Sequence, residues 1–223
     1  MLTNDELIVV EEKYYKILYE LLSKNIGSII TQIYSQTLVN GAATTNVTNT
    51  IEKSVENVIE GLIAKQLQWN ICSLPVSADS CFECGDAIVQ IDAKTCKIND
   101  VDNTSNKVNV ENTQTTYCNG VPLNVAGKNW NPKLNKYENH NYFGEIPNIT
   151  YIVKVVYSNA NRVEKIKLIS LPHGQLNTVF NGAAILGAGR SKGTGALRSN
   201  IRFSEDQIVA VQSWRVNTIY ERK

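Results

Sequence analysis

One segment of the chain contains two aspartates and a lysine at spacings that suit a metal-dependent catalytic site. Asp92 and Lys94 are separated by one residue, so on a β-strand their side chains project from the same face. If residues 85 and 86 form a two-residue hairpin turn, Asp79 lies directly opposite Asp92, with Cα atoms about 4.5–5.5 Å apart. Two facing carboxylates destabilise a sheet unless a cation lies between them. The spacing therefore predicts a Mg²⁺ site at Asp79 and Asp92.

A site of this kind has a defined chemistry on a phosphodiester. The bound metal would polarise the phosphate and lower the pKa of a coordinated water, which attacks in line. Lys94 would orient that water or stabilise the charge that develops on the phosphate. Asp86 is a less suitable first ligand, because on a continuous strand it would lie about 20 Å from Asp92.

The elements that must position these residues follow from hydrophobic periodicity. Apolar residues at helical spacing predict three N-terminal helices, over residues 4–23, 26–38 and 51–67, with a loop over 40–49. Period-2 patterns then predict strands over residues 71–75, 76–82 and 87–95, and a hairpin of 149–157 with 163–171. Ser204 and Gln207 resemble a capping box that opens a helix through Tyr220, although β-branched residues leave a strand possible there.

At these residues the sequence resembles the PD-(D/E)xK nuclease superfamily, and within it the type II restriction endonucleases of similar length. The resemblance rests on Asp79, on the triplet of Asp92, Ala93 and Lys94, and on an upstream helix with an inward glutamate. Glu60 suits that last position better than the glutamate one turn earlier. The resemblance implies that Asp79, Asp92, Lys94 and Glu60 are catalytic, with Glu60 supporting a second metal or its water.

The resemblance also implies a fold and an activity for the whole chain. The fold is expected to be α/β, with a mixed central β-sheet flanked by helices in a single domain over residues 1–223. Within it we distinguish a helical part (1–67), a long insertion with little regular structure (97–148) and a basic glycine-rich loop (182–203). The expected activity is hydrolysis of a specific, palindromic double-stranded DNA site by a homodimer, because a two-fold protein matches a two-fold duplex.

Charge is distributed unevenly along the chain, although the formal net charge is only +1. Residues 186–203 contain arginine and lysine but no acidic residue, interleaved with glycine. Glycine lets backbone N–H groups approach phosphates, and arginine can donate two hydrogen bonds to guanine. We therefore expect DNA contacts from Arg190, Ser191, Lys192, Arg198 and Arg202.

The sequence also indicates where the protein is located. No apolar run approaches the ~20 residues of a membrane span, and the acidic N-terminus lacks the order of a signal peptide, so we expect a cytoplasmic protein without a membrane partner.

The cysteines suggest a different kind of function. Cys81 and Cys84 have the spacing of a zinc knuckle, and Cys96 and Cys118 could complete four ligands. A zinc-stabilised, non-catalytic nucleic-acid-binding module is thus one alternative, and a repair nuclease of low sequence specificity is another.

Overall fold

The computed structural model describes residues 1–43, 47–72, 78–99, 106–111, 114–117, 123–125, 128–130, 142–158, 162–188 and 200–223. These residues form an α/β fold with a mixed central sheet, as the sequence predicts. Within the described ranges, no helix combines the length and the apolar content that a membrane crossing requires.

Three consecutive helices form the N-terminal part: α1 (Asn4–Lys24), α2 (Ile26–Ala43) and α3 (Val47–Leu67). A capping box begins α1, in which Thr3 Oγ1 accepts from Glu6 N and the Glu6 carboxylate accepts from Thr3 N at 2.8 Å. Thr3 is therefore the N-cap of α1. The loop predicted over residues 40–49 is too long, because α2 continues to Ala43 and α3 already begins at Val47.

The rest of the chain supplies the strands and two short α-helices. In chain order these are β1 (Asn70–Ile71), β2 (Ser80–Cys84), β3 (Ala87–Lys97), β4 (Lys107–Glu111), β5 (Leu123–Val125), β6 (Lys128–Trp130), β7 (Tyr142–Phe143), β8 (Ile146–Tyr157), β9 (Val163–Leu171), α4 (Asn177–Phe180), β10 (Ile185–Ala188), β11 (Asn200–Ser204), α5 (Glu205–Val211) and β12 (Val216–Glu221). The predicted strand over residues 71–75 and the start of the next one fall mostly outside the described residues.

The main sheet has the order β1-β2-β3-β8-β9-β12, with β7 paired to β8. The central pair β3–β8 is parallel and the other neighbouring pairs are antiparallel. The predicted hairpin of β8 and β9 is confirmed. A second sheet has the order β10-β11-β4, and β5 pairs with β6.

Three expectations about the second half of the chain need correction. The insertion contains β4 to β7 and is more regular than predicted, and the basic loop is bounded on both sides by strands, β10 and β11. The C-terminal segment is not one helix through Tyr220. Ser204 Oγ accepts from Gln207 N at 3.2 Å and caps α5, but the chain then extends into β12, where β-branched residues favour a strand.

The two faces of the main sheet are covered by different elements. On one face α1 packs, and Tyr151 donates a hydrogen bond of 2.6 Å from its hydroxyl to the Glu11 carbonyl oxygen. On the other face lie α5 and β4, where Lys154 Nζ is 2.6 Å from Glu205 Oε1. Strand alternation and the β3–β8 register place Asp92 on this second face, which is therefore covered by the second sheet and α5.

Candidate active site

The β2–β3 hairpin has the register that the sequence predicts. Cys84 pairs with Ala87 across a two-residue turn, and the ladder continues to the pair Ser80–Ile91. Asp79 comes one residue before β2, so one further step of the same register would place it opposite Asp92. The hairpin therefore brings the two predicted metal ligands to the same point of the sheet.

Asp79 is fixed to β3 by its own carboxylate. Its Oδ2 accepts a hydrogen bond of 2.6 Å from the backbone N–H of Ala93. The carboxylate thus replaces a backbone carbonyl as acceptor just beyond the last ladder pair. Although the residue as a whole is exposed, partial desolvation of the carboxylate raises the pKa of Asp79, while the Ala93 amide and Lys94 act in the opposite direction.

Asp92 lies at the buried centre of the site, with 0% of its surface exposed. Its Oδ1 accepts from Gln114 Nε2 at 2.8 Å. Its Oδ2 is 2.7 Å from Lys94 Nζ, an ion pair without hydrogen-bond geometry, and accepts no hydrogen bond. Burial raises the pKa of Asp92 to about 7, and Lys94 opposes this rise. The nearby charges of Asp79 and Glu56 raise the pKa further, so the site holds more negative charge than one lysine balances.

Lys94 has its ammonium between a carboxylate and an amide oxygen. Besides its contact with Asp92, Lys94 Nζ donates to Gln114 Oε1 at 2.8 Å. The side chain keeps 28% of its surface exposed, so it is only partly buried. A partly buried cation held in this way can bind a phosphate.

A row of lysines crosses the sheet at the level of Lys94. The register aligns Lys94 with Lys154 of β8, and Lys154 with Lys167 of β9. Glu205 at the start of α5 binds the last two, with Oε1 2.6 Å from Lys154 Nζ and Oε2 2.6 Å from Lys167 Nζ. Glu205 pairs with the ammonium groups of Lys154 and Lys167, whereas Lys94 pairs with Asp92. Lys94 is therefore the lysine of this row that faces the predicted metal ligands.

The glutamate of α3 whose charge acts on Asp92 is Glu56, and the role assigned to Glu60 stays a prediction. The charge of Glu56 raises the pKa of Asp92, and burial together with Asp79 raises the pKa of Glu56 itself. Glu60 lies one helical turn further along α3, and no effect of its charge on either aspartate is found. Both glutamates lie on one side of the helix, so sequence spacing alone does not separate them.

Asp86, the other candidate for a first ligand, is engaged elsewhere. Its carboxylate accepts from Lys13 Nζ at 2.8 Å and from the Tyr14 hydroxyl, both on α1. Desolvation acts to raise the pKa of Asp86, but the hydrogen bonds from Lys13 and Tyr14 outweigh it and lower the pKa overall. Asp86 therefore ties the hairpin turn to α1 and is not part of the site.

The cysteines give no support to a zinc centre. Cys72, Cys81, Cys84 and Cys96 form no disulfide among the described residues, and burial raises the pKa of Cys81 and of Cys84 to about 12. Among the described residues, no group of three or more His, Cys, Asp and Glu side chains is placed to hold a metal by itself. Cys118, the fourth predicted ligand, lies outside the described residues.

The predicted DNA-contacting residues fall mostly outside the described ranges. Arg190, Ser191, Lys192 and Arg198 belong to residues 189–199, which are not described. Arg202 lies in β11, half-buried, opposite Asn109 of β4. Arg202 therefore belongs to the second sheet, of which β11 is the middle strand.

Sequence reasoning missed Gln114, which contacts both Asp92 and Lys94. Gln114 lies in the insertion, a region rich in asparagine and threonine, where no periodic pattern singles it out. Glu52, Glu56 and Glu60 recur at a spacing of one turn along α3. This acidic stripe is the signal in the sequence that indicates Glu56 as well as Glu60.

Comparison with known proteins identifies the family and supports the fold. Residues 6–161 match the family model described as the N-terminal domain of the type II restriction enzyme MwoI. The fold is similar to that of the tetrameric restriction endonuclease SfiI bound to cognate DNA, with a TM-score of 0.71 and 15% identity over 100% of this chain and 86% of that one. No curated protein matches the sequence. Since the family model covers more than half of the chain, the protein belongs to the MwoI family of type II restriction enzymes.

Proposed function

We propose that this restriction enzyme is a Mg²⁺-dependent endonuclease that hydrolyses phosphodiester bonds at a specific, palindromic site in double-stranded DNA. The observation that carries the proposal is the arrangement around Asp92: a fully buried carboxylate with one oxygen free of hydrogen bonds, beside Asp79, Glu56 and a single lysine. Family membership supports the reaction class, and this cluster supports the residues that perform it.

The donor set fits a magnesium ion. The pKa values of Asp79, Asp92 and Glu56 are all raised although Lys94 Nζ lies 2.7 Å from Asp92 Oδ2, so a divalent cation would stabilise the ionised carboxylates further. Mg²⁺ usually takes one or two protein carboxylates and completes its shell with water and substrate phosphates. Asp79 and Asp92 would therefore hold the ion, with Glu56 in the supporting position predicted for Glu60. When bound, the ion would polarise the scissile phosphate and neutralise developing charge.

Lys94 has the role of placing positive charge beside the reacting phosphate. Its ammonium is held by Asp92 and Gln114 on a side chain that is 28% exposed, so the positive charge is in place before a phosphate binds. From this position it can orient the attacking water and stabilise the negative charge of the transition state. Asp79 and Asp92 contribute by holding their oxygens in fixed positions on the hairpin, since each carboxylate has one oxygen anchored by an N–H donor.

Double-stranded DNA is the partner that we propose, and a homodimer is the smallest assembly that fits a palindromic site cut on both strands. Arg202 and the basic residues 190–198 are the proposed contacts to phosphates and base edges. The similar enzyme SfiI is a tetramer in its complex with cognate DNA, so higher assembly is an outcome that the mass of the purified protein will decide.

A digest of long DNA of known sequence tests the proposal directly. With Mg²⁺ the wild-type protein should yield discrete fragments whose ends share one sequence, and with EDTA it should yield none. A Lys94→Ala protein purified in the same way excludes a contaminating nuclease. A smear of fragments would instead indicate a nuclease of low specificity, and stoichiometric zinc with no cleavage would indicate a binding module.

A further inference from the structure

We infer that Gln114 is a positioning residue of the active site, which holds Asp92 and Lys94 in a fixed relative geometry; this inference rests on the proposed function. Gln114 belongs to the insertion between β3 and β8 and is 6% exposed. It would give that insertion a part in the reaction, because the residue lies after the end of β4 and contacts both proposed catalytic side chains of β3.

One side-chain amide serves both catalytic groups. Gln114 Nε2 donates to Asp92 Oδ1 at 2.8 Å, and Gln114 Oε1 accepts from Lys94 Nζ at 2.8 Å. The same Oε1 also accepts from the backbone N–H of Glu111 at 2.8 Å. Gln114 is thus fixed at three points, two of them charged groups, for which hydrogen bonds are the stronger kind.

The chemistry of these partners allows a single orientation of the amide. An ammonium and a backbone N–H can only donate, and an ionised carboxylate can only accept. The Glu111 N–H and Lys94 therefore both require the oxygen of Gln114 on their side, which turns its NH₂ group toward Asp92. No other residue type of this length provides a donor and an acceptor at these two positions.

This arrangement determines which oxygen of Asp92 is available. Because Gln114 occupies Oδ1, the carboxylate cannot rotate without losing that bond, and Oδ2 stays free of hydrogen bonds next to Lys94. Partners of this kind, which orient a ligand without touching the substrate, typically change activity by about 10–100-fold when they are removed. Gln114 therefore acts through Asp92 and Lys94, not on the DNA.

Two variants and one matched control test the role. Gln114→Met keeps the length of the side chain but removes both polar contacts, and Gln114→Glu keeps the acceptor but removes the donor to Asp92. Gln90→Met is the control, since Gln90 is buried on the same face of β3 but donates to Asn148 Oδ1 at 2.6 Å. Single-turnover cleavage rate, DNA affinity and melting temperature are measured for each protein.

The expected result separates positioning from stability. Both Gln114 variants should cleave about 10–100-fold more slowly with DNA affinity within about twofold of wild type. Gln90→Met should lose a similar amount of stability but keep its cleavage rate. If both Gln114 variants cleave within about threefold of wild type while Lys94→Ala is inactive, the inference is wrong and the proposed function stands.

A second readout needs no cleavage and covers the case in which the proposed function fails. Labelling of the wild-type protein with an amine-reactive reagent gives the rate at Lys94 relative to Lys24, which is 74% exposed. Loss of the Gln114 acceptor should free Lys94 and raise its relative labelling rate at least about threefold in Gln114→Met. An unchanged rate would overturn the inference, whether or not the protein cuts DNA.

Discussion

The carboxylate of Asp79 accepts a hydrogen bond of 2.6 Å from the backbone N–H of Ala93, the residue between Asp92 and Lys94. Through this bond the first aspartate is attached directly to the strand that bears Asp92 and Lys94, the other two proposed catalytic residues. The distance between the two carboxylates is therefore set by the hairpin and not by flexible side chains. Such preorganisation is what a transition state with developing charge requires.

The two aspartates are expected to serve catalysis and not DNA docking. Asp92→Asn and Asp79→Asn should each reduce the single-turnover cleavage rate by more than about 10³-fold, because each removes a proposed metal ligand, while DNA affinity in Ca²⁺ stays within about threefold. Quench-flow or manual single-turnover assays and a binding titration measure the two quantities.

Asp86→Asn is the matched control for these variants. Asp86 lies in the same hairpin but binds Lys13 and Tyr14, so its removal should lower the melting temperature and leave the cleavage rate within about threefold. An inactive Asp86→Asn together with an active Asp79→Asn would show that the first ligand has been assigned to the wrong residue.

The glutamates of α3 give a second pair of matched variants. Glu56→Gln should reduce cleavage by about 10–100-fold, because the charge of Glu56 acts on Asp92, whereas Glu60→Gln should have an effect below about threefold. The two substitutions are chemically identical and one turn apart on the same helix. The opposite order of effects would restore Glu60 as the supporting residue.

How much of this site could be predicted depends on how local each signal is. The pairing of Asp79 with Asp92 was predictable, because a two-residue turn at residues 85 and 86 fixes every later pair of the hairpin. The choice between Glu56 and Glu60 was not, because it depends on how α3 packs against the sheet. Helical spacing places Glu56 and Glu60 on the same side of α3. A shift of α3 along its axis by one turn would decide which of the two carboxylates lies near Asp92.

The partners from distant parts of the chain could not be predicted for the same reason. Gln114 follows β4, and Glu205 begins α5. Each contacts a lysine of the main sheet that is about 20 to 50 residues away in the sequence, so the contact depends on tertiary structure. The predicted final helix is too long, since Ser204 caps α5 but the later residues form β12 and pair with β9. Local propensity and the edge of the sheet both favour a strand there.

The buried charge pair of Glu205 is expected to be a large stability determinant. Glu205→Gln removes the negative charge that pairs with Lys154 and Lys167, whose side chains are only 2% and 11% exposed. Breaking a buried pair in this way costs about 3–5 kcal/mol in the free energy of unfolding. Urea denaturation of the purified variant measures this loss.

Glu221→Gln is the control for this comparison, since the Lys165–Glu221 pair lies at the surface with Glu221 60% exposed. An exposed pair contributes about 0–1 kcal/mol. Equal losses from Glu205→Gln and Glu221→Gln would show that the row of lysines does not depend on Glu205.

The basic residues are expected to contact DNA in two distinguishable ways. Alanine at Arg190, Lys192, Arg198 or Arg202 should weaken binding, with the slope of log affinity against log salt falling by about one for a phosphate contact. A base contact should instead lose about 1–3 kcal/mol of discrimination at one position of the site. Lys16→Ala is the control, because Lys16 lies on α1, which packs on the face of the main sheet opposite to the second sheet with Arg202. If all four variants bind as wild type does, the basic loop does not contact DNA.

The pKa of Asp92 leads to a stability test that links pH and metal. Since burial raises this pKa to about 7, the folded protein without metal binds more protons than the unfolded chain between about pH 4 and pH 7, and the free energy of unfolding should fall as pH rises through that window. Asp92→Asn removes the buried charge and should stabilise the metal-free protein at pH 8 by about 2–4 kcal/mol. Mg²⁺ should raise the melting temperature of the wild type at pH 8 but not that of Asp92→Asn, because a bound cation replaces the proton. A wild type and an Asp92→Asn protein with parallel pH profiles and equal responses to Mg²⁺ would mean that Asp92 carries neither the buried charge nor the metal.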